Sequence, residues 1–109
     1  MPTDTNNEQI AFQLILHSGN AKSLLMEAMY KARDGEFEEA RRKVNEANAE
    51  LRLAHHSQTS LIQSEAGGQQ YKINILLVHA QDHLMTAITE KNLIEQIIEL
   101  RKIVNTLIK

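Results

Sequence analysis

Residues 70–108 carry the strongest structural signal in the chain and read QYKINILLVHAQDHLMTAITEKNLIEQIIELRKIVNTLI. Apolar residues recur here every three or four positions, a spacing that predicts one long α-helix. At about 100° per residue, the helix carries two stripes on different sides. The first stripe is Ile73, Leu77, Ala80, Leu84, Ala87, Ile94 and Ile98, and the second is Ile75, Asp82, Leu93, Ile97, Leu100, Val104 and Leu107.

The two stripes predict that this helix is covered on two sides. The other helices of the same chain can cover only one stripe, and a helix that is apolar on both sides must be buried on both sides. The second stripe therefore predicts a homo-oligomer in which copies of this helix meet along an axis.

A first helix is marked by capping residues near the N-terminus. Thr5 followed three residues later by Glu8 is a capping-box pattern, so we expect the helix to begin near Thr5. Its apolar stripe consists of Ile10, Leu14, Ser18, Ala21, Leu25, Ala28 and Ala32. This stripe predicts that the helix continues to about Arg33.

A second helix follows the short turn at Asp34-Gly35. Its apolar positions are Phe37, Ala40, Val44, Ala47, Leu51 and Ala54. We expect it over about residues 36–65, because Gly67-Gly68 breaks the pattern. With the third helix at about 70–108, the chain is predicted to be one all-α domain over residues 1–109, an antiparallel three-helix bundle.

Composition excludes several classes of function. The 109 residues include no cysteine, which excludes disulfides, thiolate metal sites and thiol catalysis. The formal net charge of -2 and the scattered basic residues give no electrostatic footprint for nucleic acid. No signal-peptide pattern is present, and no apolar run approaches the roughly 20 residues of a membrane span, so we expect a soluble cytoplasmic protein.

Asp82 is the unusual member of the second stripe. An ionised carboxylate without a partner would be costly at an apolar interface, and no Lys or Arg stands three or four residues away from it. Either Asp82 is protonated, or symmetry-related carboxylates converge on a cation. A hard cation such as Mg²⁺ suits carboxylate ligands on an axis.

His79 and His83 lie four residues apart, so both can project from the same side of the helix as Asp82. One interpretation is a zinc site that Asp82 or another subunit completes. The other is a nucleophilic histidine whose neutral imidazole attacks a phosphoryl group. Because the chain has no glycine-rich nucleotide loop, the phosphate would have to come from another protein. A non-catalytic oligomeric helical adaptor is the alternative to both.

The segment 78–86, VHAQDHLMT, resembles the active-site helix of the IIA components of the bacterial phosphoenolpyruvate-dependent sugar phosphotransferase system. The resemblance is to the lactose/cellobiose (diacetylchitobiose) family. It extends to residues 15–23, ILHSGNAKS, to the turn at residues 35–37 and to the helical C-terminus.

The resemblance implies a homotrimer of three-helix bundles with the third helices around the axis. His79 matches the histidine that the histidine-containing phosphocarrier protein phosphorylates on Nε2 and that passes the group to the cysteine of a IIB component. Asp82 matches the aspartate that, with its two symmetry mates, holds one Mg²⁺ per trimer. His83 and Gln81 match flanking positions and are expected to be auxiliary. The sugar would be a disaccharide of the cellobiose, lactose or chitobiose type, which the membrane IIC component recognises.

Overall fold

The computed structural model describes residues 2–68 and 73–108, and the predicted all-α bundle is confirmed. The three helices are α1 (Pro2–Arg33), α2 (Phe37–Ala66) and α3 (Ile75–Leu107). The predicted C-terminal ends of α1 and α2 agree with these bounds within one residue. None of these three described helices combines the length and apolar character needed to cross a bilayer.

Ion pairs and hydrogen bonds between helices give their relative directions. As the residue number increases along α1, the number of the contacted residue decreases on α2 and increases on α3. Helix α2 is therefore antiparallel to α1, and α3 is parallel to it. The α1–α2 pairs are His17 with Glu50 and Glu27 with Lys43, and the α1–α3 pairs are Lys22 with Glu90 and Arg33 with Arg101. Both α1–α3 pairs join residues 68 apart in the sequence.

Helix α1 begins at Pro2, three residues before the predicted start at Thr5. Proline has no amide hydrogen to leave unpaired, and its fixed φ suits the first position of a helix. The Thr5–Glu8 pattern therefore lies inside the first turns of α1 and does not mark its beginning.

The α1–α2 turn depends on the backbone conformation of Gly35. The Gly35 amide donates to the carbonyl of Ala32 at 3.0 Å, and the Glu36 amide donates to the carbonyl of Lys31 at 2.8 Å. This is the Schellman pattern, which needs a left-handed residue just after the helix. Gly35 provides it with φ 82°.

We expect Gly35→Ala to lower the free energy of unfolding by about 1–2 kcal/mol, because a Cβ disfavours the left-handed conformation. The substituted methyl group would meet Asn105 Nδ2 at 3.7 Å, an ordinary contact, so the cost is conformational. Urea denaturation at one protein concentration measures it. Gly67→Ala is the matched control, since Gly67 follows α2 with φ -81° and should tolerate alanine. Equal stability of the two variants would contradict this account.

Helix α3 begins at Ile75, so the predicted start at residue 70 is wrong. Ile73 and Asn74 are not helical, and residues 70–72 lie outside the described residues. Asn74 has an extended backbone, with φ -138° and ψ 173°, and its Oδ1 accepts a hydrogen bond from the Leu77 amide at 2.9 Å. This is an N-cap, and it fixes the first turn of α3.

Alanines and leucines make the core where the helices meet. The buried residues follow the predicted stripes closely, and small alanine side chains let the helix backbones approach. Those of α1 are Ala11, Leu14, Ser18, Ala21, Leu25, Ala28 and Ala32; those of α2 are Ala40, Val44, Ala47, Leu51, Ala54 and Leu61; those of α3 are Leu77, Ala80, Leu84, Ala87, Ile94 and Ile98. Among the predicted core residues, Ile73 is wrong, because it precedes α3 and is 72% exposed, and Ile10 and Phe37 are only partly buried.

The second stripe of α3 is uncovered in the single chain. Leu93, Leu100 and Leu107 are all exposed, and Ile75 at the start of the helix is 87% exposed. Helix α1 packs extensively against both other helices, and no element of the described chain covers this outer side of α3. A row of large apolar side chains open to water along one helix is typical of an interaction surface.

Candidate functional site

The two histidines lie on the side of α3 that faces α1. Glu90 marks this side, since it pairs with Lys22 of α1 at 3.5 Å. His79 and His83 precede Glu90 by eleven and seven residues, which are close to three and two helical turns. We call this side the α1 edge of α3, and Arg101 extends it towards the C-terminus.

The imidazole rings of His79 and His83 contact each other edge to face. Their centroids are 5.2 Å apart and their planes are perpendicular. His79 is exposed, whereas His83 is half-buried between α3 and α1. The spacing of four residues predicted this proximity, and the structure brings the two rings together.

His83 is held in its neutral form. Burial lowers the pKa of its imidazole, and the positive charges of Lys22 and, when protonated, His79 lower it further, against the opposing effect of Asp82 and Glu90. Its Nδ1 is buried without a hydrogen-bond partner among the described residues. Protonation would place a second N–H where one nitrogen already lacks a partner, so the ring stays uncharged at neutral pH.

Asp82 is exposed on the second stripe, beyond His79 around the helix. Within residues 2–68 and 73–108, no lysine or arginine nitrogen lies within 4 Å of its carboxylate, and no three possible metal ligands come together. A zinc site of His79, His83 and Asp82 within one chain is therefore not supported. The carboxylate is a suitable ligand for a hard cation, but one chain supplies only one.

Gln81 points away from the histidines. It lies two residues from His79, about 200° around the helix, and its Oε1 accepts a hydrogen bond from Gln58 Nε2 of α2 at 2.6 Å. We call this side the α2 edge of α3. Gln81 therefore does not flank His79 within one chain.

Sequence reasoning missed Lys22, Gln58 and Asn74. Lys22 lies near His83 and Asn74 caps the helix that carries both histidines, while Gln58 fixes the amide of Gln81. Asn74 has a local signal, since asparagine before an apolar run is a common N-cap. The roles of Lys22 and Gln58 depend on contacts between helices, so they can be recognised only in the folded structure.

Comparison with known proteins connects this site to a family. Residues 9–102 match the family model described as the lactose/cellobiose-specific IIA subunit of the phosphotransferase system. A relative from Bacillus subtilis, the lichenan-specific phosphotransferase enzyme IIA component, is 56% identical over 93 residues, which are 85% of this chain and 84% of the relative.

Two solved structures share the fold. The cellobiose-specific enzyme IIA from Bacillus anthracis superposes with a TM-score of 0.90 at 51% identity, covering 92% of each chain. The IIA(Chitobiose) protein from Escherichia coli, solved in complex with HPr, gives a TM-score of 0.79 at 37% identity, covering 91% of this chain and 96% of that one. The chain therefore belongs to the lactose/cellobiose-specific IIA family of the phosphotransferase system.

Proposed function

We propose that the chain is a phosphoryl carrier that accepts phosphate on Nε2 of His79 and passes it on. The observation that carries this proposal is the exposed imidazole of His79 in edge-to-face contact with the half-buried, neutral His83. A phosphoryl donor held by another protein needs an accessible nucleophile, and His79 is accessible. The neutral ring beside it adds no positive charge that would raise the barrier to forming an imidazolium at His79.

The position of His79 in α3 favours a bound phosphoryl group. His79 is the fifth residue of the helix, and side chains tilt towards the helix N-terminus, so its ring lies beside the first turn. The positive end of the helix dipole favours an anion there, and the first turn contains no acidic residue. The capped start of α3 therefore supports a negatively charged group at His79.

The chain's own contribution to transfer is positioning and electrostatics. The Nε2 lone pair of His79 forms a bond to phosphorus while the bond from phosphorus to the donor's imidazole breaks in line. His83 contacts the ring of His79 and limits its orientation. In the next step, the bond from Nε2 to phosphorus breaks while the cysteine sulfur of a IIB component forms its bond to phosphorus, again in line.

His83→Gln is expected to slow phosphorylation about 10- to 100-fold without abolishing it, as for the loss of one positioning contact. The half-buried ring restrains His79, and glutamine cannot replace that edge-to-face contact. Initial rates of label uptake measure the effect. His56→Gln, an exposed histidine on α2, is the control and should keep the wild-type rate. An unchanged rate in His83→Gln would contradict its auxiliary role.

We propose a homotrimer in which the second stripes of three α3 helices meet on the axis. The exposed apolar side chains of α3 support this assembly, since burying them removes a large apolar surface from water. Asp82 lies on that stripe, so three copies would bring three carboxylates to the axis and would hold one Mg²⁺. Bound there, the cation would offset the repulsion among the carboxylates and the nearby phosphoryl groups.

The trimer also gives Gln81 a role that one chain does not allow. In a closed ring, the α1 edge of one copy meets the α2 edge of the next. Gln81 of one copy would then lie towards His79 of its neighbour, with its amide oriented by Gln58. We therefore propose that Gln81 is auxiliary across the subunit boundary.

The proposed donor is the histidine-containing phosphocarrier protein, and the proposed acceptor is a IIB component linked to a membrane IIC component. The solved complex of the Escherichia coli relative with HPr supports the donor. Relatives named for lichenan, cellobiose and diacetylchitobiose support uptake and phosphorylation of a disaccharide of the cellobiose, lactose or chitobiose type. The proposed location is the cytoplasm.

Phosphorylation by purified general phosphotransferase proteins tests the proposal. We expect label from phosphoenolpyruvate to reach the chain only when the phosphocarrier is present, and peptide mapping to assign it to His79. A trimeric protein that takes up no label under these conditions would instead be the non-catalytic adaptor. Label on a different residue would contradict the assignment of His79.

A further inference from the structure

A cleft of about 250 Å³ opens between α1 and α3, far from the histidines and near the C-terminal ends of both helices. Its lining combines an apolar floor with two guanidinium groups and a phenol. The lining residues are Met29, Tyr30, Ala32, Arg33, Ile97 and Arg101. The proposed phosphoryl chemistry uses none of them.

Arg101 lacks an acidic partner in this cleft. Its Nη2 donates to the carbonyl oxygen of Arg33 at 3.3 Å, and its Nε is buried without a hydrogen-bond partner among the described residues. Across the part of the chain that the structure describes, no carboxylate oxygen lies within 4 Å of the Arg101 guanidinium. Arg33, in contrast, pairs with Asp34 at 3.4 Å and stacks on Tyr30. A partly buried guanidinium of this kind favours a carboxylate as its partner.

Glu99 lies at nearly the same height on the opposite edge of α3. It follows Gln81 by eighteen residues, which are five helical turns, so it shares the α2 edge. Arg101 follows Glu90 by eleven residues and shares the α1 edge. The carboxylate of Glu99 is 64% exposed and contacts Lys102 of its own helix at 3.3 Å. Within the described residues, Arg101 therefore has no acidic partner on one edge, and Glu99 on the other edge is an exposed anion whose partner is Lys102 of its own helix.

The two edges meet when parallel copies of α3 surround an axis. In such a ring, the α1 edge of each copy faces the α2 edge of the next, and the contact is repeated around the ring. Arg101 and Glu99 differ by two residues, which is about 3 Å along the helix. Two long side chains cover that offset easily.

We propose that Arg101 of each copy binds Glu99 of the next copy, with the cleft beside Arg101 receiving the carboxylate. This inference rests on the homotrimer of the proposed function and adds a specific intersubunit contact to it. The occupant is a second copy of this chain, because the complementary charge stands at the matching height. The contact continues the exposed apolar stripe, which includes the cleft residue Ile97.

An ion pair gives the assembly a property that the apolar stripe cannot provide. Apolar burial has no direction and tolerates a helix that slides by one turn or runs antiparallel. A charge pair between opposite edges is satisfied only when the copies are parallel and in register. Register matters for function here, because it also sets the height of Gln81 of one copy relative to His79 of the next.

Charge reversal of the full-length protein tests the pair. We expect Arg101→Glu and Glu99→Arg each to raise the concentration at which the trimer dissociates at least tenfold. The double variant should return to within about threefold of the wild type. Analytical ultracentrifugation over a dilution series measures dissociation. Glu38→Arg and Arg41→Glu, which reverse the exposed pair on the outer face of α2, are matched controls and should leave it unchanged. Arg101→Gln and Glu99→Gln repeat the test without reversing charge.

Mixing wild type with the double variant shows whether the pair crosses between copies. The double variant has the same composition and therefore the same mass as the wild type, so the wild type is labelled with ¹⁵N before mixing. Each mixed boundary would join two cations or two anions, so we expect native mass spectrometry to show the two homotrimers and few mixed trimers. Free mixing, or single variants that stay as stable as the wild type, would overturn the pair while leaving the phosphoryl carrier intact. A wild-type protein that is monomeric would overturn both the trimer and this contact. A stable wild-type trimer in which His79 takes up no label would contradict only the proposed phosphoryl transfer.

Discussion

His79→Gln is expected to abolish phosphorylation of the chain while leaving the bundle folded. Removing a nucleophile lowers the rate of a covalent step by at least about 1,000-fold, and the remaining histidines do not share the environment of His79. The side chain at position 79 is exposed, so the substitution should change the free energy of unfolding by less than about 0.5 kcal/mol. Label transfer from phosphoenolpyruvate measures the first effect, and circular dichroism with sedimentation measures the second.

The control for this experiment is the behaviour of the other histidines. His56→Gln should be labelled as fast as the wild type, and His83→Gln should be labelled slowly but completely. A labelled His79→Gln variant would contradict the assignment, whatever its rate. An unlabelled variant that has also lost its helices or its trimer would leave the loss attributable to misfolding, so folding and assembly are measured on the same samples.

The fold was largely predictable because helical periodicity is a local property of the sequence. Every predicted core position of α2 except the half-buried Phe37 is buried, and α1 differs mainly by the addition of Ala11 and the partial exposure of Ile10. The predicted start of α1 was wrong because a capping pattern also occurs inside a helix. The predicted start of α3 was wrong because the apolar spacing extends to Ile73, which precedes the helix. Periodicity alone could not show that Asn74 caps α3.

Only the part of the site that lies within α3 was predictable from the sequence. The spacing in α3 places His79 beside His83 and places Asp82 on the second stripe. The structure confirms the contact between the two histidine rings. The sequence does not reveal that Lys22 lies near His83. Their approach depends on how the parallel helices α1 and α3 align, with residues 68 apart in the sequence side by side. Gln81 was named with His79 because the family resemblance matches it to a flanking position, although two residues of separation put it on the other edge of α3.

Asp82→Leu is expected to keep the trimer and to strengthen it. In the proposed assembly, three carboxylates approach one another on an apolar axis, which is unfavourable unless a cation offsets their charge. Leucine completes the stripe between Ile75 and Leu93, and replacing buried charges by apolar side chains often stabilises an interface by about 1–4 kcal/mol. Sedimentation over a dilution series should show dissociation at lower concentration than for the wild type.

Chelation separates the charge of Asp82 from its shape. We expect EDTA to weaken the wild-type trimer, because the carboxylates then repel one another without a cation, and to leave Asp82→Leu unchanged. Asp82→Asn keeps the size of the side chain and removes the charge, so it should also resist EDTA while gaining less stability than leucine. Dissociation of Asp82→Leu into monomers would contradict an apolar axis at this position. An Asp82→Leu trimer that still accepts phosphate on His79 would show that transfer at Nε2 does not require the carboxylate.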